Sequence, residues 1–221
     1  MRVTPAQLVR WGTAALSDAL GKVGAMQHDM QCRSASAKMA GPAYTVRLHT
    51  ADILMVPIAL AECPKGHVLV VGGQGERNTA LWGELTTYSA LGKGLAGVVI
   101  DGAIRDAAKI RRSKLPVFAR AVVPNAGGGE YVGELNATLS CAGQVVNPGD
   151  WLVGDEDGVV VIPAARLAET AAIATRIVAA EKRIERAIRK GAELCDLIGT
   201  RQTLERKRGE VFVPQLRTAI D

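Results

Sequence analysis

W-G-E-L-T-T-Y-S-A-L-G-K-G-L-A-G-V-V-I-D-G-A-I-R-D, residues Trp82 to Asp106, is the stretch around which the chain is organised. A polar, helix-compatible run from Glu84 to Leu91 is closed by Gly92 and Gly94, and an apolar run from Leu95 to Ile100 then reads as a buried strand. The strand is expected to empty into a polar tip, Asp101-Gly102-Ala103-Ile104-Arg105-Asp106. Helix, turn, strand and charged loop in that order belong to an α/β protein. There, ligands collect beyond the carboxyl ends of strands, and a helix's first turn offers unpaired N–H groups to an anion. If the Gly83–Thr86 turn faces Arg105-Asp106, the two make a pocket with an anion cradle, a guanidinium and carboxylates suited to a metal.

Working outward on the amino side, Thr4-Pro5 reads as an N-cap with proline at the first helical position, and short helices are expected over about 5–11 and 14–20. Residues 41–50 alternate as a strand, with Arg47 and His49 on one face. A helix is expected from Ile53 to Glu62 and a strand from His67 to Val71, followed by a tight turn at Gly72-Gly73-Gln74-Gly75. That glycine run fits neither dinucleotide nor P-loop spacing, so phosphate binding is not expected there.

On the carboxyl side come a short helix over Ala107–Arg112, a strand over Leu115–Arg120 and a flexible loop at Pro124–Gly129. Strands are expected at 131–135, 137–140, 144–146, 151–153 and 158–162. The acidic tip Asp155-Glu156-Asp157 reads as a hairpin turn rather than a calcium loop, because the remaining oxygen ligands of such a loop are missing. A long helix from Ala164 to Arg189 is stopped by Gly191. Strands alternating with helices, then a cluster of strands, predict a three-layer α/β/β or α/β/α domain.

Composition narrows the classes further. An apolar content of 48% supplies a real core, and 27 Lys+Arg against 22 Asp+Glu give a net charge of +5. Much of that excess lies between Lys182 and Arg208 and reads as a solvated helix face. With aromatics at only 4%, the stacking platform of a single-strand binder is missing, so no nucleic-acid partner is expected. Cys32, Cys63, Cys141 and Cys195 have no C-x-x-C pairing and are expected to be reduced. No stretch approaches ~18 uninterrupted apolar residues, so no membrane partner and a cytoplasmic location are expected.

The chemistry concentrates at Arg105-Asp106. Asp106 is a hard oxygen donor suited to Mg²⁺ or Mn²⁺, and one carboxylate suffices for magnesium when water and substrate complete the shell. Arg105 presents a planar fork of donors to a carboxylate or a developing oxyanion. Glu84 could hold a metal-bound water from across the pocket, and the N–H groups of Leu85 and Thr86 could clasp a substrate carboxylate. Lys93 and Lys109 lie nearby in sequence, but neither has a visible means of lowering its pKa to act as a Schiff-base nucleophile.

At these residues the sequence resembles the family that contains 4-hydroxy-4-methyl-2-oxoglutarate/4-carboxy-4-hydroxy-2-oxoadipate aldolase and the regulator of ribonuclease activity A. The likeness is carried by S-D-A-L at Ser17–Leu20, G-P-A-Y-T-V at Gly41–Val46, W-G-E-L at Trp82–Leu85 and G-L-A-G-V-V-I-D-G-A-I-R-D at Gly94–Asp106. It continues through P-G-D at Pro148–Asp150 and D-G-V-V-V-I-P at Asp157–Pro163. The resemblance implies a single α/β/β domain of the swivelling phosphohistidine type over residues 1–190, followed by a helical, polar extension over 191–221.

The family's aldolases share an acidic residue, twenty positions and then Arg-Asp, a spacing that Glu84 and Arg105-Asp106 satisfy with Glu where Asp is commoner. In the ribonuclease regulators that first position is typically glycine and further acids follow the Arg-Asp; here Ala107-Ala108-Lys109-Ile110 stands instead. The resemblance therefore implies a class II pyruvate aldolase with oxaloacetate decarboxylase activity, in which Asp106 holds Mg²⁺ or Mn²⁺ and Arg105 binds substrate and steadies the enolate. Gly83, Glu84, Leu85 and Thr86 would bind the 2-oxo acid. Family members form trimers or hexamers, and a neighbouring subunit's carboxylate, for which Glu181 is the candidate, would complete the water shell alongside Glu84. The alternative is a non-catalytic protein that binds and regulates a ribonuclease. A phosphohistidine carrier would need a histidine at a helix start or loop tip, which His28, His49 and His67 fit poorly.

Overall fold

Val68, Leu69, Val70 and Val71 are all fully buried because the sheet they belong to is covered on both faces. Leu69 and Val71 join the apolar cluster beneath the helices, whereas Val68 and Val70 join a second cluster beneath a β layer. A computed structural model describes residues 3–209, so Met1, Arg2 and residues 210–221 of the expected extension lie outside the described residues. The elements run α1 (Pro5–Ala19), β1 (Gln31–Cys32), β2 (Met39–Arg47), α2 (Met55–Glu62), β3 (Val68–Trp82), α3 (Glu84–Lys93) and β4 (Gly97–Ile104). They continue with α4 (Ala107–Ile110), β5 (Val117–Val122), β6 (Glu134–Leu135), β7 (Leu139–Cys141), β8 (Gln144–Val146), β9 (Trp151–Asp155) and β10 (Gly158–Ile162). A 3-10 turn (Ala164–Arg166) then leads to α5 (Leu167–Ile188), α6 (Leu194–Leu197) and α7 (Thr200–Gly209).

Strands β2, β3, β4 and β5 pair in parallel, each one place further across the sheet, so the crossovers through α2, α3 and α4 fall on the same face. Antiparallel β1 extends the sheet beyond β5, and β9 and β10 extend it beyond β2. The β7–β8 hairpin covers the face away from the helices, where Leu139, Cys141 and Val146 pack with Val70, Val99 and Phe118. The architecture is the α/β/β arrangement of layers. Two compact units divide within α5, the first through Thr175 and the second from Arg176. The second comprises the rest of α5, α6 and α7, laced by exposed pairs such as Arg189–Glu185 and Arg201–Asp196. No helix among the described residues is long and apolar enough to cross a membrane.

Three expectations are corrected. The glycines at 72–75 make no tight turn between elements: β3 runs on to Trp82 with three register shifts against β4, fifteen residues lying beside eight. Glycine permits this, since a Cβ on Gly73 would sit 2.0 Å from Leu81 Cδ1 and 2.9 Å from the Asp101 carbonyl. The close approach is therefore to β4 and not to a helix.

The second correction concerns Asp101, which is not part of a polar tip. Strand β4 continues to Ile104 with every residue buried, and Asp101 is 4% exposed on the face away from the helices. Its Oδ1 accepts hydrogen bonds from Arg120 Nη1 (2.8 Å) and the Ala142 N–H (3.2 Å), and Arg120 Nε donates to Asp29 Oδ2 (3.0 Å). Third, the loop at 124–129 is pinned and not free. Asp52, itself buried, accepts from the Glu130 N–H (2.7 Å) and the Tyr131 N–H (3.2 Å), while the Ile53 N–H donates to the Gly128 carbonyl.

The acidic tip is structural. Asp155 accepts the Thr13 N–H (2.7 Å) and Thr13 Oγ1–H (2.6 Å) at the point where Gly12, at φ +81°, kinks α1 into two segments. His49 lies against the ring of Tyr131, with 5.4 Å between centroids. Cys63 and Cys141 are buried, Cys32 and Cys195 half-buried, and all four are free thiols.

Arg120 joins two carboxylates, so Arg120→Met leaves Asp101 as a buried charge without its guanidinium. We expect a loss of about 3–5 kcal/mol in urea unfolding; a variant as stable as the parent would show that the cluster is solvated.

Candidate active site

The site forms where two chain segments are stitched together at the strand ends. The Arg105 N–H donates to the Trp82 carbonyl (2.9 Å), which brings the first turn of α3 against the Arg105-Asp106 corner. Gly83 caps α3 in an extended conformation and has no side chain with which to bond the helix's own N–H groups. Of those groups, Glu84 N–H donates to Asp106 Oδ2 (3.0 Å), while the N–H groups of Leu85 and Thr86 have no partner among the described residues. Helix termini leave such donors free for an anion. A Cβ on Gly83 would lie 2.7 Å from Asp106 Oδ2 and 3.3 Å from Arg105 Cγ, so glycine is what lets the corner close.

Asp106 itself sits in the left-handed region at φ +58°, a conformation that non-glycine residues rarely adopt and that clusters at functional sites. That turn ends β4 and starts α4, directing Asp106 toward α3. Arg105 Nε is 3.8 Å from Asp106 Oδ2, and the two side chains are 45% and 40% exposed. They are available to a ligand and not sealed in the core.

These residues line a cavity of about 280 Å³. Its polar side consists of Gly83, Glu84, Leu85, Thr86, Arg105 and Asp106, the six residues that sequence reasoning selected at the corner; Ile53, Val56, Pro57, Leu81, Trp82 and Ala126 form an apolar wall. Trp82 is held there by its indole N–H, which donates to Thr87 Oγ1 (2.8 Å) in the interior. Glu181, the remaining candidate, is exposed on α5 in the second compact unit.

Two residues that sequence reasoning did not assign to the site touch Glu84. Lys109 Nζ contacts Glu84 Oε2, and the Tyr88 hydroxyl donates to Glu84 Oε1 (2.9 Å). The Lys109 hydrogen bond holds the Glu84 carboxyl below the usual range, with Tyr88 adding to it, and the same bond holds the Lys109 ammonium above its usual range. The i,i+4 spacing of Glu84 and Tyr88 was visible in the sequence, whereas Lys109 is 25 positions away.

Asp106 Oδ1 accepts no hydrogen bond among the described residues, which leaves a hard oxygen donor on a residue that lines the cavity. No cluster of three or more His, Cys, Asp and Glu capable of caging an ion occurs among those residues. The donor set fits a cation that takes one carboxylate and keeps its waters, as Mg²⁺ does, and does not fit a zinc cage.

A larger cavity, about 690 Å³, lies on the opposite face of the sheet and includes Asp101, Arg120 and Arg47. Its charges are already satisfied internally, Arg120 by Asp29 and Asp101 and Arg47 by Glu134. The smaller cavity, with unpartnered donors and an unbonded carboxylate oxygen, is the better candidate.

Fold and site together define an α/β/β protein with a carboxylate and guanidinium corner set against a helix start. Residues 13–161 match the family model described as RraA-like, Aldolase/RraA. The uncharacterized protein MJ0644 of Methanocaldococcus jannaschii is 41% identical over 160 residues, covering 72% of this chain and 76% of its own. The 4-hydroxy-4-methyl-2-oxoglutarate aldolase of Thermus thermophilus is 35% identical over 68% of this chain and 92% of its own. A solved structure described as the RNA-processing inhibitor RraA, also from Thermus, superposes with a TM-score of 0.64 at 35% identity, over 69% of this chain and 92% of that one. The chain belongs to the RraA-like family.

Gly83→Ala should force Asp106 away from the Glu84 N–H. We expect a stability loss of about 1–3 kcal/mol on thermal unfolding, together with a displaced Asp106 carboxylate in the variant's crystal structure. An unmoved Asp106 at parental stability would contradict this account of the corner.

Proposed function

We propose that this chain is a divalent-metal-dependent pyruvate aldolase that cleaves 4-hydroxy-4-methyl-2-oxoglutarate or 4-carboxy-4-hydroxy-2-oxoadipate to pyruvate and a second keto acid. The observation that carries the reading is the convergence on one half-apolar cavity of a guanidinium, two carboxylates and two N–H groups that have no partner among the described residues. The name of the Thermus relative supports the lyase class.

Each group has a task in this reaction. The N–H groups of Leu85 and Thr86 bind the C1 carboxylate and orient the keto acid along the apolar wall. Arg105 faces the C2 oxygen, where negative charge develops. Glu84, as a carboxylate, holds the water that accepts the proton of the C4 hydroxyl. Loss of that proton drives cleavage of C3–C4: the hydroxyl oxygen becomes the carbonyl of the departing keto acid, and the bond's electron pair becomes the enolate of pyruvate. A solvent proton at C3 then completes pyruvate. Asp106 would hold Mg²⁺ or Mn²⁺, which when bound supplies Lewis-acid polarisation of the keto acid. Oxaloacetate passes through the same enolate on losing carbon dioxide, so β-decarboxylation is a second activity.

Assembly belongs to the proposal as well. In a trimer or hexamer, Glu181 of a neighbouring copy would complete the water shell. Neither lysine near the corner is set up as a Schiff-base nucleophile, since Lys109 is paired with Glu84 and Lys93 contacts the Ala61 carbonyl.

A lactate-dehydrogenase-coupled assay on 4-hydroxy-2-oxo acids and oxaloacetate should show pyruvate release that depends on Mg²⁺ or Mn²⁺. Asp106→Ala should abolish turnover, and Arg105→Ala should lower kcat/KM by the equivalent of about 2.7–4 kcal/mol, as for a lost oxyanion donor. Full activity after EDTA treatment would remove the metal from the mechanism. No turnover with any substrate in the presence of metal would favour the ribonuclease-regulator reading that the RraA likeness suggests.

A further inference from the structure

Glu84 poses a geometric problem that the reaction does not by itself solve. It carries one methylene more than aspartate and stands at the first position of α3, and its carboxylate shares the corner with that of Asp106, whose charge repels it. Left alone, such a side chain would swing into solvent. It does not: the Glu84 side chain is 19% exposed although it lies at the rim, between the 280 Å³ cavity and an adjoining cavity of about 290 Å³.

Both carboxylate oxygens are engaged, and by different elements. Tyr88, one turn along α3, donates to Oε1 at 2.9 Å; Lys109, from α4, contacts Oε2 and stays 60% exposed, arching over the carboxylate. The lysine is in turn placed by the aspartate. Its N–H donates to the Asp106 carbonyl (2.9 Å) in the turn that Asp106's left-handed conformation initiates, so Asp106 and the group steering Glu84 share one backbone turn.

We propose that Lys109 and Tyr88 are positioning residues that hold the Glu84 carboxylate against the Asp106 corner, where it can accept from water bound to the divalent ion. The proposal rests on the reading of Asp106 as the ion's ligand. It makes a prediction opposite in sign to simple electrostatics. A lysine near a bound cation repels it, so removing the ammonium should tighten divalent binding if Lys109 is only a surface charge. If Lys109 orients a residue of the water shell, removing it should loosen binding, because outer-shell partners commonly govern metal affinity by 10–100-fold.

The test is Mn²⁺ affinity, read from the electron paramagnetic resonance signal of free Mn²⁺ with the full-length protein and no substrate. We expect Lys109→Met to weaken Mn²⁺ binding about tenfold and Tyr88→Phe to weaken it less, with Lys109→Arg keeping most of the parental affinity. Lys109→Met combined with Glu84→Gln should bind no more weakly than Glu84→Gln alone, because the lysine acts through the carboxylate. Unchanged melting temperatures exclude a folding defect. Tighter or unchanged Mn²⁺ binding in Lys109→Met would overturn the proposal while leaving the aldolase reading intact, and so would losses that add in the double variant. A parental protein that binds no Mn²⁺ would overturn both.

Discussion

The structure depends on an unequal pairing. Strand β3 carries fifteen residues past the eight of β4, and the excess is taken up in register shifts after Val71, Glu76 and Ala80. The surplus bulges, with Gln74 and Gly75 both in the left-handed region, and the two strands still end together, Trp82 beside Ile104. Leu81, 1% exposed, fills the gap over Gly73 and Gly102, where a Cβ on either glycine would meet its Cδ1. The same irregular strand contributes Gln74 and Gly75 to the polar cavity on one face and Ala80, Leu81 and Trp82 to the candidate site on the other.

From that geometry the corner follows. Because β3 ends at Trp82 beside Ile104, the next residue of each strand meets the other, and the Arg105 N–H can reach the Trp82 carbonyl. The helix start and the Arg-Asp pair then stand one hydrogen bond apart. Asp106 takes the Glu84 N–H, which fixes one carboxylate oxygen to the positive end of α3 and leaves the other unbonded among the described residues. The N–H groups of Leu85 and Thr86, in the same turn, have no partner among the described residues.

Much of this was legible in the sequence because local chemistry decides it. Proline at 5 starts α1, the φ +81° bend at Gly12 separates the two helical segments that the apolar spacing indicated, and Gly94, left-handed at φ +69°, ends α3 as its position suggested. The six residues at the corner were found together because they follow one helix start and one strand end, whose positions apolar runs reveal. What escaped was set by distant partners. Asp101 reads as a loop residue until Arg120, nineteen positions on, and Asp29, 91 positions before Arg120, are brought to it. The glycine-rich loop at 124–129 reads as mobile until Asp52 is seen to accept the N–H groups that follow it, 78 and 79 positions later. In each case a buried carboxylate found donors that no periodicity marks.

The distribution of charge around Glu84 bears on whether the site can supply a Schiff-base amine. A lysine that forms a Schiff base must lose its proton near neutral pH, which calls for desolvation or a neighbouring cation. Lys109 has the reverse surroundings: it is mostly exposed, touches a carboxylate, and is held above its ordinary pKa by that contact. The contact acts on its partner as well, holding the Glu84 carboxyl below its ordinary range. The corner therefore offers no neutral amine, since its lysine is paired with a carboxylate. What this corner can offer a ligand is therefore fixed charge, carried by Glu84, Arg105 and Asp106 on the Gly83 and Arg105-Asp106 turns.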